Sequence, residues 1–360
     1  MINLTEDKDC CGCGACVNVC PRRCIAMQGN KEGFLYPEVD TKRCINCGLC
    51  EKVCPLLKNP SQHEVLAVFG AKNRDDVVRS QSSSGGMFSL FAQKVLEEGG
   101  VVFGAALDAE LGVRHIAVRD KEQLCLLRGS KYVQSVTGTV YREVRTELKK
   151  GEKVLFSGTP CQTAALRYFL GSAFANLVTV DVVCHGVPSP LVYRKHLNDL
   201  ALLAGEPVVQ VRFRDKEKGW KGGETLFLTR TRRFGAAKRK EPYMRLFLKN
   251  VSIRPCCGSC LFNNRRSLAD LTIADYWGID RQYPSFDDDR GVTLVIVNTA
   301  KGMAMLKSVS CKAEMFETTF AEGAEYNLAV ARSLPLHPAR EFFFANLERY
   351  TLAEFAEMLL

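Results

Sequence analysis

Eight cysteines in two matching runs are the residues most able to do chemistry in this chain. Cys10, Cys13, Cys16 and Cys20 precede Pro21, and Cys44, Cys47, Cys50 and Cys54 precede Pro55. Each run reads C-x2-C-x2-C-x3-C-P, the spacing of a head that holds two [4Fe–4S] clusters. Two-residue gaps let a tight loop wrap three corners of a cubane, and Gly12, Gly14 and Gly48 allow the turns this needs. The fourth cysteine of each run reaches across to the other cluster. That predicts Cys10, Cys13, Cys16 and Cys54 on one cluster, and Cys44, Cys47, Cys50 and Cys20 on the other. A structural zinc ribbon would instead use paired knuckles with four cysteines in all. Cys11 and Cys24 lie outside the pattern. Cys11 is expected to point away from the cluster and Cys24 to serve as packing, and neither is given a role.

Four more cysteines have a pattern of their own. In LFSGTPCQTAALRYF (155–169) a strand ends at Ser157, and Thr159, Pro160 and Gln162 form the start of a helix with a T-x-x-Q capping box. Cys161 falls in the first turn, where the helix dipole favours a thiolate. Cys184 follows a strand in VDVVCHGVPSP, and Cys257 and Cys260 form a C-x2-C knuckle in RPCCGSCLF. Together these four thiols suffice for a third [4Fe–4S] cluster. Buried cysteines, a redox pair or a small zinc site would fit the spacing as well.

Composition sets the frame for this chemistry. The chain has 360 residues, enough for two or three domains, and 46% of them are hydrophobic and 25% charged, ordinary for a soluble globular protein. No apolar run is long enough to span a membrane and no export signal opens the chain, so a cytoplasmic protein is expected. Ten of the 17 cysteines lie before residue 55, which favours metal over disulfides in a reducing compartment. The formal net charge of +9 is offset in part by anionic clusters, so it argues only weakly for nucleic acid.

The elements that must position these residues follow from the pattern. Residues 1–56 form the ferredoxin-like head, 57–64 a Pro-containing linker, and 65–360 a larger domain with a possible subdivision near 150. Strands are predicted at 65–72, 101–107, 153–157, 177–183, 208–213, 271–275 and 292–298. Helices are predicted between several of them, at 86–98, 139–150, 160–170 and 189–204. Such alternation gives an α/β fold with α+β elements and a mixed or mainly parallel sheet. No G-x-G-x-x-G follows any strand, so a Rossmann nicotinamide site has no direct support.

Several longer segments carry a family resemblance: QSSSGGMFS (81–89), GSKYVQS (129–135), SGTPCQTAALR (157–167), VCHGVPSPLVY (183–193), FRDKEKGW (213–220), IRPCCGSCLF (253–262) and LTIADYWGI (271–279). With them the chain resembles the β subunits of coenzyme F-420 hydrogenases and dehydrogenases over nearly its whole length. The resemblance implies an iron–sulfur flavoprotein oxidoreductase, with FAD beside a [4Fe–4S] cluster on Cys161, Cys184, Cys257 and Cys260. Electrons would pass to or from a deazaflavin or another organic two-electron acceptor. The sequence departs from the family pattern at Cys256, where serine is common, which leaves Cys256 or Cys257 as the ligand. It departs again at Ala274, where glycine is usual.

FAD needs phosphate donors and a flavin bed. Ser82, Ser83, Ser84, Gly85 and Gly86 open a helix and could cradle an anion, or could simply cap that helix. Lys131 could place a positive charge by the flavin ring or pyrophosphate, and Thr159 could touch the flavin or only cap. His185 is a candidate for proton transfer, or a histidine bonded to a backbone carbonyl. Trp220 could stack on a planar substrate or sit in the core. The basic run 229–240 reads as an exposed loop, able to face an anionic substrate or acidic electron partner. Expected partners are a redox donor such as ferredoxin or a partner oxidoreductase subunit, and a small-molecule acceptor, with no nucleic acid. A plain electron-transfer subunit, with no substrate site of its own, is the alternative.

Overall fold

The computed structural model describes residues 1–4, 6–237 and 239–360. In the head, β1 (Ile25–Gly29) and β2 (Leu35–Val39) form an antiparallel hairpin. The larger part then gives β3 (Ala67–Asn73), β4 (Val101–Leu107), β5 (Val113–Val118), β6 (Val154–Gly158), β7 (Leu177–Val182), β8 (Gln210–Asp215), β9 (Glu224–Leu228), β10 (Arg233–Ala237), β11 (Leu271–Asp275), β12 (Thr293–Val297) and β13 (Ala313–Thr318). Eight of these form one mixed sheet in the order β13-β3-β12-β11-β7-β6-β4-β5. Its centre is parallel, β4 to β6, β6 to β7 and β7 to β11, while β5, β12 and β13 run antiparallel to their neighbours.

Both faces of that centre are covered, and the strand residues alternate accordingly. Val102 and Leu155 meet the helix Met87–Glu97 through Met87, Leu90, Phe91 and Val95. Val101, Phe103, Val154 and Phe156 point the other way, to the helices Val140–Lys149 and Pro160–Leu170. A period of two with both sets buried is what a doubly covered sheet requires. Each helix has a local reason to begin and end where it does. Thr159 and Gln162 form the expected capping box with Pro160 at the first helical position, and Gly171 ends that helix at φ 67°. Ser189 accepts from the amides of Leu191 and Val192 to start Pro190–Ala204.

Some expected elements differ. The strand expected at 208–213 lies at Gln210–Asp215 and belongs to a separate three-stranded antiparallel sheet, β10-β9-β8. That sheet packs with the helices Pro190–Ala204, Pro242–Leu248 and Leu352–Leu359 in a second core containing Tyr193, Phe213, Phe227, Phe247 and Phe355. The basic run 229–240 is not an open loop, because Arg233–Ala237 is strand β10. Within it Arg233 pairs with Glu217 at 2.6 Å and Arg232 donates to the Leu203 carbonyl at 2.9 Å. Lys238 lies outside the described residues. Trp220 is fully buried, stacked on Trp277 at 4.5 Å with its indole N–H on Asp275 at 3.2 Å. It belongs to the core and cannot stack on a substrate.

The head is fastened to the larger part by polar contacts that a free-swinging tether would lack. Arg254, with no exposed surface, donates to the carbonyls of Cys10 (2.7 Å) and Leu35 (2.8 Å) and to Gln134 Oε1 (3.1 Å). Gln134 in turn donates to the Cys11 carbonyl at 3.1 Å, and Thr137 to that of Cys13 at 2.8 Å. Arg340 and Glu32 form a buried two-point ion pair at 2.8 and 2.5 Å. Among the described residues no helix is long and apolar enough to cross a membrane.

Candidate functional site

Strands β4, β6, β7 and β11 run the same way, so their carboxyl ends share one edge of the sheet, the edge where α/β folds bind ligands. A cavity of about 280 Å³ opens there. It is lined by Ser82, Ser83, Ser84, Gly86, Lys131 and Thr159 of the expected cofactor residues, and by Cys161, Cys184 and His185. Segments more than a hundred residues apart in the sequence thus converge on one space.

The serine turn binds differently from expectation. Ser82 Oγ donates to the Val78 carbonyl (2.7 Å) and Ser84 Oγ to that of Val292 (2.8 Å), so both hydroxyls serve the backbone. Ser83 Oγ accepts from the Ser130 amide at 2.6 Å and ties the serine turn to the loop carrying Lys131. Gly85 is not in the cavity wall. A Cβ there would lie 2.4 Å from the Ala71 carbonyl oxygen and 2.7 Å from the Thr293 amide, so Gly85 allows close packing on β3 and β12. What faces the cavity is the start of Met87–Glu97, after Gly86 at φ 86°, with no side chain capping it. Its free amides are an anion-binding end of the kind expected, made from backbone and not from hydroxyls.

Lys131 donates to the carbonyls of Leu126 (3.0 Å) and Arg128 (2.9 Å), and burial pulls its pKa down to about 7. His115, which the sequence pattern does not single out, also lines the cavity. Its Nε2 lies 3.0 Å from the Ser157 carbonyl and must be the protonated nitrogen, leaving Nδ1 to accept from Ser135 Oγ at 2.8 Å. Burial lowers its pKa to about 4, so it stays neutral. His185 sits edge-on to Phe247 at 5.0 Å, its Nε2 is buried without a hydrogen-bond partner, and burial lowers its pKa.

The twelve expected cysteine ligands fall into three neighbourhoods. Cys10, Cys13, Cys16 and Cys54 lie close enough to influence one another electrostatically, and burial with these neighbours pushes Cys16 up to about 12. Cys20, Cys44, Cys47 and Cys50 line a second small space, together with Cys24. Cys24 is no mere filler, because its sulfur lies 3.4 Å from that of Cys20. The third neighbourhood joins Cys161, Cys184, Cys257 and Cys260. An isolated antiparallel bridge, Pro188 to Ile253, and the bond from the Arg254 amide to the Val187 carbonyl bring the Cys184 turn beside the knuckle. Cys257 faces this group, whereas Cys256 is buried in the apolar layer with Cys11. Among the described residues no three His, Cys, Asp or Glu side chains converge as a site for a single metal ion.

Cys161 does not have the low pKa its helix position promised. Its hydrogen bond with Cys11 and then burial push it well up, and burial does the same to Cys184 and Cys260. Such thiols become thiolates only when a cation joins them, and a metal centre supplies that charge. The donor set therefore suits iron–sulfur ligation. Cys11 is the residue that spacing missed. It does not point into empty packing but reaches both Cys13 and Cys161, and it forms part of the cavity wall.

Residues 9–56 match the model of the 4Fe-4S dicluster domain. Residues 151–322 match the family model for the C terminus of the beta subunit of coenzyme F420 hydrogenase/dehydrogenase. From residue 151 to 322 the chain belongs to the coenzyme F420 hydrogenase/dehydrogenase beta-subunit family. With its dicluster head it is an iron–sulfur electron-transfer protein of that family. Among solved structures, a chain of the F420-reducing [NiFe] hydrogenase complex from Methanosarcina barkeri is similar at a TM-score of 0.51 and 16% identity. The similarity covers 83% of this chain and 90% of that one, and it establishes a shared fold. A search of curated proteins gave no match. Within the F420 beta-subunit fold, the cavity and the third cysteine group both lie on the parallel strands' carboxyl edge.

Proposed function

We propose that this chain is a cytoplasmic iron–sulfur flavoprotein oxidoreductase, organised as a ferredoxin-like head (1–56), a connector (57–64) and an FAD-binding domain (65–360). In this reading two [4Fe–4S] clusters sit in the head with the ligand sets given above, a third sits on Cys161, Cys184, Cys257 and Cys260, and FAD occupies the 280 Å³ cavity. FAD, when bound, converts single electrons into two-electron chemistry. The observation that carries the reading is that Cys161 and Cys184 share a cavity wall with an uncapped helix start and Lys131.

The chain's own residues have defined tasks around that ligand. The amides at Met87 and after bind a phosphate, Ser83 holds the serine turn against the Lys131 loop, and Thr159 fixes the helix that bears Cys161. Lys131 gains a proton when an anion arrives, since burial alone leaves it near neutrality at pH 7. His115 presents a neutral ring backed by Phe156 at 5.4 Å and keeps water from that wall. His185, with a free buried nitrogen, is the candidate to give or take the substrate's proton. The acceptor is a two-electron organic molecule, with a deazaflavin as the first to try. The docked partner is a one-electron redox protein or an oxidoreductase subunit.

Anaerobically purified protein should release FAD and contain about twelve iron atoms per chain. Cys184→Ser and Cys260→Ser should each lower the iron content to about eight while leaving the head's signals in place. Twelve irons retained in both variants would overturn the third ligand set, and protein free of flavin would overturn the oxidoreductase reading in favour of a plain relay subunit.

A further inference from the structure

The second cysteine space in the head opens to the surface, and its rim carries an unusual set of charges. Cys47 is exposed, as are Pro21 and Ile45, the latter to 59%. Around them stand Arg22, Arg23, Lys42 and Arg43, all exposed, with Arg22 itself in the wall of that space. Arg43 donates to the Arg22 carbonyl at 3.1 Å, which makes the two loops one surface. Among the described residues none of these four cations has a carboxylate at ion-pair distance. Elsewhere the surface cations are commonly neutralised, as with Lys121 on Glu97, Lys153 on Glu98 and Lys150 on Glu147. Asp40 is the acidic residue of the same loop, and its carboxylate caps the turn by accepting from the Lys42 amide at 3.0 Å. The opposite end of the head is closed, since Cys11 and Cys13 are buried against the larger part.

We propose that the rim formed by Arg22, Arg23, Lys42 and Arg43 around Cys47 is the docking surface for a small, acidic one-electron carrier protein. A small apolar centre ringed by unpaired charge of one sign is the anatomy of a transient, electrostatically steered contact. The rim also marks the place where the thiol layer of the head comes nearest to solvent. A carrier docked there would donate or accept at the shortest range the chain offers. One electron moves in each encounter, the carrier's centre being oxidised as the head's is reduced, or the reverse, and no atom is transferred. The inference rests on the proposed clusters of the head.

The test uses the full chain, purified without oxygen, and a reduced plant-type [2Fe–2S] ferredoxin as the acidic carrier. Stopped-flow reduction should have a second-order rate that falls steeply as salt is raised. The double variant Arg22→Glu with Lys42→Glu should slow that rate by roughly tenfold or more at low salt and flatten its salt dependence. Its iron content, midpoint potentials and full bleaching by excess dithionite should match the parent protein. A control pair of exposed cations elsewhere, Lys249→Glu with Arg349→Glu, should leave the rate unchanged. Equal rates in the rim variant and the parent, or an equal loss in the control, would overturn the proposal. Absence of iron and of dithionite bleaching in the parent protein would instead refute the clusters themselves, a separate and recognisable failure.

Discussion

At the scale of single residues, Lys131 shows how burial prepares a group for a ligand. An exposed lysine titrates near 10.4, and here burial has lowered it to about 7. Between those values the unfolded chain binds the proton and the folded chain does not, so this group makes the ligand-free fold gain stability as pH rises from about 7 to 10. Binding of an anionic cofactor restores the proton. FAD affinity should therefore weaken as pH rises above about 7, by up to about tenfold per unit, until the bound lysine also loses its proton. Lys131→Met should lower affinity at pH 7 by roughly 10-fold to 150-fold, the worth of about 1.5–3 kcal/mol for a charged hydrogen bond, and should flatten this pH dependence. Fluorescence titration with FAD from pH 6 to 9 reads both. A steep slope surviving in the variant would assign the proton elsewhere.

Residue types made the three cysteine groups legible, but side-chain direction was not. Spacing in the two ferredoxin runs and in C-x2-C says how loops wrap, and the structure gathers Cys161, Cys184 and Cys257 with Cys260 as that reading expects. Nothing in a linear sequence says that Cys11 faces Cys161, because that contact exists only once the head lies on the helix Pro160–Leu170. Arg254 was invisible for the same reason, as its partners lie 120 to 244 residues away.

At the scale of elements, strongly apolar strands were the readable ones. Val101–Leu107 and Leu271–Asp275 have the bounds their composition gives, and the helices begin at their caps. Strands β5, β9, β10 and β13 were missed because charged residues interrupt them, Arg114 in β5 and Glu314 and Glu317 in β13 among them. These sit at a sheet edge or in the smaller sheet, where one side meets water and hydrophobic pattern fades. The serine turn was misjudged in a related way. Its glycine at position 85 serves the sheet, lying over the paired residues Ala71 and Thr293, while the ligand-facing work falls to Gly86 and the amides beyond it. Gly85→Ala should cost about 1–3 kcal/mol by overpacking against backbone that cannot move aside. Thermal unfolding would detect this as a drop of several degrees, with flavin affinity falling as the turn shifts. An unchanged melting temperature would show that the turn has slack the packing does not reveal.

At the scale of the whole molecule, the head is a seated part and not a tethered shuttle. Arg254 is the centre of the seat, buried, stacked over Tyr36 at 4.2 Å, and bonded to both sides of the junction. Its charge has a second consequence. A fixed guanidinium on the Cys10 carbonyl lies beside the first group of head thiols, and a buried cation there favours the more negative, reduced state of any cluster they hold. Arg254→Gln should therefore move the midpoint potential of one head cluster to more negative values while the other changes less. Arg254→Lys, which keeps the charge but loses the forked hydrogen bonds, should restore most of the potential without restoring all of the stability. Potentiometric titration followed by EPR separates the two effects, because a purely mechanical seat would lose stability in both variants and leave both potentials in place. A shift in the glutamine variant alone means that the contact seating the head also sets the direction in which its electrons run, outward to the rim or inward past Cys11.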